Sequence, residues 1–140
     1  MTQVFFYHGA RDRIAAACAL LSAAYAQRKP VLVYAREPEV ANNLDRLLWT
    51  HTALSFVPHC RADSPLAAET PILITDQLDT LAQDERLMNL SREIPPGFSR
   101  FNSLIEVVGQ DEDDRNAARD RARFYKDRGY DVHYIDLSNR

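Results

Sequence analysis

The chain has 140 residues, 46% hydrophobic and 26% charged, with a formal net charge of -3. That length suits one domain, residues 1–140, with a single hydrophobic core. An isoelectric point near 5.8 argues against a general nucleic-acid binder, which usually shows a basic balance across the domain, so any anion binding is expected to be local. The longest small-apolar run, residues 14–26, is broken by Ser22 and too short for a bilayer, and the first residues lack a signal-peptide pattern, so a soluble cytoplasmic protein is expected.

In chain order, residues 4–7 (VFFY) read as a β-rich first strand, and residues 10–28, rich in Ala and Leu, as a helix. Pro30 ends that helix. Residues 31–35 are apolar throughout, as buried parallel strands are. Residues 37–49 form a second helix, with Pro38 in its first turn and Val40, Ala41, Leu44, Leu47 and Leu48 mainly on one face. Residues 50–70 read as loop with a brief extended piece at residues 55–57. Strands are expected at residues 72–75, 87–90 and 104–108. A basic helix follows over residues 113–128, closed by Gly129 as a left-handed cap, and residues 131–136 make a final strand. This alternation predicts an α/β domain with a mostly parallel sheet.

An enzymatic reading lacks parts. The first strand-to-helix turn, Tyr7-His8-Gly9-Ala10-Arg11, has one glycine, whereas a phosphate cradle needs several so that backbone can approach the pyrophosphate. There is no nucleotide-binding glycine loop in the chain, and no cofactor is expected. His51, His59 and Cys60 match no zinc spacing; an exposed loop histidine beside a buried cysteine is expected instead. Cys18 and Cys60 read as two free thiols. No serine lies in a nucleophile-elbow context.

The segment RNAARDRARFYKDRG, residues 115–129, carries six Lys/Arg and two acids, directly after four consecutive acids at residues 111–114. On a helix, Arg115, Arg119 and Arg123 advance by about 40° each, and Lys126 falls among them. The result is a basic stripe bordering a face of Ala118, Ala122 and Tyr125, with Arg121 and Arg128 pointing elsewhere. Asp113 or Asp114 can cap the helix and complement its dipole, which accounts for the acids. The stripe has no interleaved acids, and like charges four residues apart repel. It reads either as a solvated face or as a site for an external anion. A second group, Trp49, Phe56, Val57 and Pro58, either anchors a loop to the core or forms an aromatic interface patch.

The stretches LDRLLW, SFVPH, IEVV and RARFYKDRGYDVHY, in that order, resemble the chi subunits of bacterial DNA polymerase III. The resemblance covers most of the chain and is weak over residues 62–103. It implies a Rossmann-like three-layer fold without a nucleotide site and a non-catalytic accessory role in the clamp-loader complex. It further implies binding of the acidic C-terminal tail of single-stranded-DNA-binding protein, with DNA contacted indirectly. That resemblance matches Arg115, Arg119 and Arg123 to the tail-binding basic residues. Arg119 is assigned the tail's terminal carboxylate with Arg115 and Arg123 flanking it, Lys126 joins the site as part of the same stripe, and Ala122 and Val108 are expected to wall a pocket for the terminal ring. Trp49, Phe56, Val57 and Pro58 fall on the side implied to meet the psi subunit or another clamp-loader component. The family has an aromatic residue where Ala122 stands here. The competing expectation is an accessory protein that binds single-stranded DNA directly, which calls for stacking aromatics along a basic groove.

Overall fold

The structure, a computed structural model, describes residues 1–50, 57–67, 70–78 and 84–138. Its strands are β1 (Gln3–Ala10), β2 (Val31–Tyr34), β3 (His59–Arg61), β4 (Ile72–Thr75), β5 (Arg86–Asn89), β6 (Ser103–Gly109) and β7 (Val132–Asp136). Its helices are α1 (Arg13–Ala26), α2 (Pro38–Thr50) and α3 (Glu112–Asp127), and a 3-10 turn lies at Phe98–Arg100. The strands form one seven-stranded sheet in the order β3-β4-β2-β5-β6-β1-β7, and every pairing in it is parallel.

Side-chain alternation along the strands divides the interior in two. Val31, Val33, Ile72, Ile74 and Met88 face α1 and α2, meeting Ala17, Cys18, Leu21, Ala41, Leu44 and Leu48. Leu32, Leu87, Leu104, Val4 and Phe6 point the other way, toward Ala118, Ala122 and Tyr125 of α3. Two helices, a sheet and one helix make three layers, the Rossmann-like arrangement expected, and the sheet is wholly rather than mostly parallel. Helices α1 and α2 cover one face of the sheet and α3 the other, so the central strand β2 is covered on both faces and all four of its residues, VLVY, are buried.

Several boundaries differ from the sequence reading. The first strand continues to Ala10, and α1 starts three residues later than expected, because the Asp12 side chain accepts N–H groups of Ile14 and Ala15 at 3.1 and 3.2 Å. Gly9, at φ 76°, makes that extension possible: the register of β1 against β6 shifts between Tyr7 and Ala10. A Cβ at Gly9 would lie 3.0 Å from the Asp136 carboxylate. The short edge strand β3 was not expected. Of the extended piece expected at residues 55–57, Ser55 and Phe56 lie outside the described residues, and Val57 is a buried core residue preceding β3. Both cysteines are free thiols; Cys18 is fully buried, which pushes its thiol up to about 11.

Candidate functional site

Helix α3 is seated by charged groups at both ends of its inner face. Asp111, not Asp113 or Asp114, caps it: the Asp111 carboxylate accepts the Asp114 N–H at 3.2 Å. Asp114 turns inward instead. It is 6% exposed, accepts the Gly109 N–H at 2.9 Å, and lies 3.6 Å from Arg13 and 3.5 Å from Arg92. The acidic run therefore supplies one cap and one anchor to the end of β6. The Arg13 guanidinium, held down by burial and supported by Asp114, also donates to the Leu90 carbonyl.

Further along α3, Arg121 enters the interior. Its Nε donates to Glu106 Oε1 at 3.1 Å, and its Nη1 to the Arg92 carbonyl at 3.2 Å. Tyr125 donates its hydroxyl to Glu106 Oε2 at 2.6 Å, and Asn89 donates to both carboxylate oxygens at 3.0 and 3.1 Å. Glu106 has no exposed surface, and burial pushes its carboxyl upward while Arg121 and these donors pull it back. Burial beside Glu106 also holds the Tyr125 hydroxyl far above its ordinary range. The network fixes the rotation of α3, and with it which residues remain at the border.

Those residues are the basic stripe. Arg115, Arg119, Arg123 and Lys126 line one rim of a cavity of about 570 Å³ between α3 and the β1–β7 end of the sheet. Val108, Ala118, Ala122 and Phe6 form its apolar part, and His8, Tyr134 and Asp127 complete the wall. All six residues expected to receive an anionic tail thus border one space. None of the four cations pairs with a carboxylate among the described residues. Arg119 donates to Asn116 Oδ1 at 3.2 Å, and the Lys126 ammonium stands 4.9 Å over the Tyr134 ring. The sequence reading missed Phe6, His8 and Tyr134. Their signal was the alternation of β1 and β7, which puts Val4, Phe6, Val132 and Tyr134 on the face under α3 once those strands are known to pair.

The second group of expected residues separates. Trp49, at the end of α2, is 59% exposed, and its ring meets His59 edge-on at 5.2 Å. Pro58 is half-buried, Val57 is 3% exposed within the core, and Phe56 lies outside the described residues. His59 reverses the expectation of an exposed histidine beside a buried cysteine: it is buried, with Nδ1 donating to the Val57 carbonyl at 2.7 Å and Nε2 3.0 Å from Asp45, whereas Cys60 is half-buried. The reason is β3, which carries His59 inward and Cys60 outward. His51 lies outside the described residues. Among the described residues no group of three or more His, Cys, Asp or Glu is placed to hold a metal ion, and no helix is long and apolar enough to cross a membrane.

The chain thus combines a Rossmann-like sheet, with one glycine in its first strand-to-helix turn, and a cation-rimmed apolar cavity beside its last helix. Comparison with known proteins gives the family. Residues 1–133 match the family model described as DNA polymerase III chi subunit, HolC, and the chain belongs to that family. It is 31% identical to the DNA polymerase III subunit chi of Pseudomonas aeruginosa, covering 93% of each chain. It is 28% identical to that of Haemophilus influenzae, over 83% of this chain and 81% of the relative. For the Escherichia coli subunit the identity is 24%, over 82% of this chain and 79% of the relative.

Proposed function

We propose that this chi-family protein is a non-catalytic replication subunit that binds the acidic C-terminal tail of single-stranded-DNA-binding protein in the α3 cavity. Through its opposite side, at Trp49 and Pro58, it joins psi or another clamp-loader component. The observation that carries the tail site is the pairing of four cations free of carboxylate partners among the described residues with an apolar floor in one cavity. A peptide with several carboxylates and a terminal aromatic ring is complementary to both halves. Arg119, mid-stripe, takes the terminal carboxylate, because a guanidinium can donate two parallel hydrogen bonds to it. Arg115 and Arg123 meet the upstream acids. The cavity volume of about 570 Å³ falls within the roughly 300–1,000 Å³ range of small-molecule sites.

The balance favours a weak contact. Burial of a Phe ring contributes roughly 1.5–3 kcal/mol and each charge-assisted hydrogen bond about 1.5–3, against about 2–5 for ordering a disordered tail. The expected affinity is on the order of micromolar. Fluorescence anisotropy with an Asp-rich peptide ending in Pro-Phe, set beside a short single-stranded oligonucleotide, tests the reading. Peptide binding that weakens about tenfold or more in Arg119→Ala supports it. Oligonucleotide binding without peptide binding replaces it with a direct DNA contact.

A further inference from the structure

The cavity raises a question that the arginines do not answer: what receives the ligand's ring. The α3 wall offers only Ala118 and Ala122, and Val108 and Phe6 lie at the floor, Phe6 with 2% of its surface exposed. None of these presents an aromatic face to the cavity. Tyr134 does. It pairs with Phe6 in the register of β1 and β7, so the two rings lie side by side on one face of the sheet, 5.8 Å apart and 25° from parallel. Phe6 props one side of Tyr134, His8 meets it edge-on at 6.3 Å, and 51% of Tyr134 remains exposed. The ring is held in place but not covered.

What stands over it is the Lys126 ammonium, 4.9 Å from the ring centroid. Lys126 is also one of the rim cations with no carboxylate partner among the described residues. A cation over an exposed ring gains less than a charge-assisted hydrogen bond to a carboxylate. A carboxylate arriving at the rim therefore draws the ammonium away from Tyr134 and bares the ring.

Building on the tail-binding reading above, we propose that Tyr134 is the aromatic wall for the ligand's terminal ring, and that Lys126 exchanges its contact with Tyr134 for the ligand's carboxylate as the ring enters. Ring recognition and charge recognition are then coupled. A terminal residue carrying both a free carboxylate and an aromatic ring satisfies the exchange. A ring without the carboxylate competes with the ammonium for Tyr134. A carboxylate without the ring leaves Tyr134 bare.

Three Asp-rich peptides test this in the full-length protein: one ending in Phe as the free acid, one in Phe amide, one in Ala as the free acid. Tyr134→Thr keeps a β-branched residue on the strand and removes the ring. It is expected to weaken the Phe acid about fivefold to tenfold and the Ala acid less than twofold. Lys126→Met is expected to narrow the preference for Phe acid over Phe amide, with the amide binding better than it does to the unaltered protein, because nothing then guards the ring. Thermal melts of both variants verify the fold, and Lys126→Met carries the test should Tyr134→Thr not fold. Equal weakening of Phe acid and Ala acid by Tyr134→Thr, or no effect on either, overturns the wall. An unchanged acid-to-amide ratio in Lys126→Met overturns the exchange. If the unaltered protein binds none of the three peptides, the tail-binding reading itself falls, and this inference with it.

Discussion

Glu106 is a carboxylate with no exposed surface, and it is held by four donated hydrogen bonds from Asn89, Arg121 and Tyr125. Removing its charge leaves Arg121, itself 4% exposed, as an unpaired buried cation. Glu106→Gln is therefore expected to lower stability by about 3–5 kcal/mol, read from urea unfolding. Tyr125→Phe, which deletes one donor and keeps the ring among Phe6 and Phe98, is expected to cost about 1–3 kcal/mol. This network was the least legible part of the sequence. Arg119 and Arg121 are both arginines on one basic helix, and periodicity alone says only that they face different ways. What draws Arg121 inward is Glu106 on β6, and a glutamate inside the apolar run IEVV gives no sign of its partner until α3 is laid across the strand. The stripe of Arg115, Arg119 and Arg123 was legible, because helical spacing is a local property.

At the scale of elements, α3 shows how its two ends differ. Asp111 caps the start, with Glu112, Asp113 and Asp114 in the first turn, where negative charge complements the helix dipole. At the other end Gly129 takes φ 84°, and the N–H of Tyr130 returns to the Tyr125 carbonyl at 3.1 Å. Asp111→Ala is expected to cost about 1 kcal/mol, measurable as a shift of the urea midpoint with an unchanged slope. Long elements with a full period, α2, α3 and β6, were readable to within a residue or two. The short edge strand β3 was not. Three residues, His59–Arg61, carry too little alternation to be told from loop, and their strand geometry is imposed by pairing to β4.

For the whole molecule, a net charge of -3 coexists with a strongly basic cavity rim, so the charge is segregated rather than reversed. A ligand recognised by that rim is screened as salt rises, since the Debye length falls from about 10 Å at 0.1 M to about 3 Å at 1 M. Raising NaCl from about 50 mM to about 500 mM is expected to weaken peptide binding several-fold while the ring's share of the affinity persists. The check is to titrate the Phe and Ala free acids at both salt levels: both lose affinity, and their ratio holds. Fold class was legible in the order of strands and helices, whereas the position of β1 was not, because no local pattern records which strands become its neighbours.

That position governs when the cavity can exist. β1, the first strand made, lies between β6 and β7, the last two, and it supplies Phe6 to the floor while β7 supplies Tyr134 to the wall. Closing such a pairing spends chain entropy across almost the whole domain, so this part of the sheet is expected to assemble late in folding. A chain with α3 formed but β1 and β7 unpaired would present the arginine row without the pocket beneath it. Ligand capture is then expected to require a finished fold, and any ligand bound in the cavity is expected, by mass action, to stabilise the β1–β7 edge of the sheet.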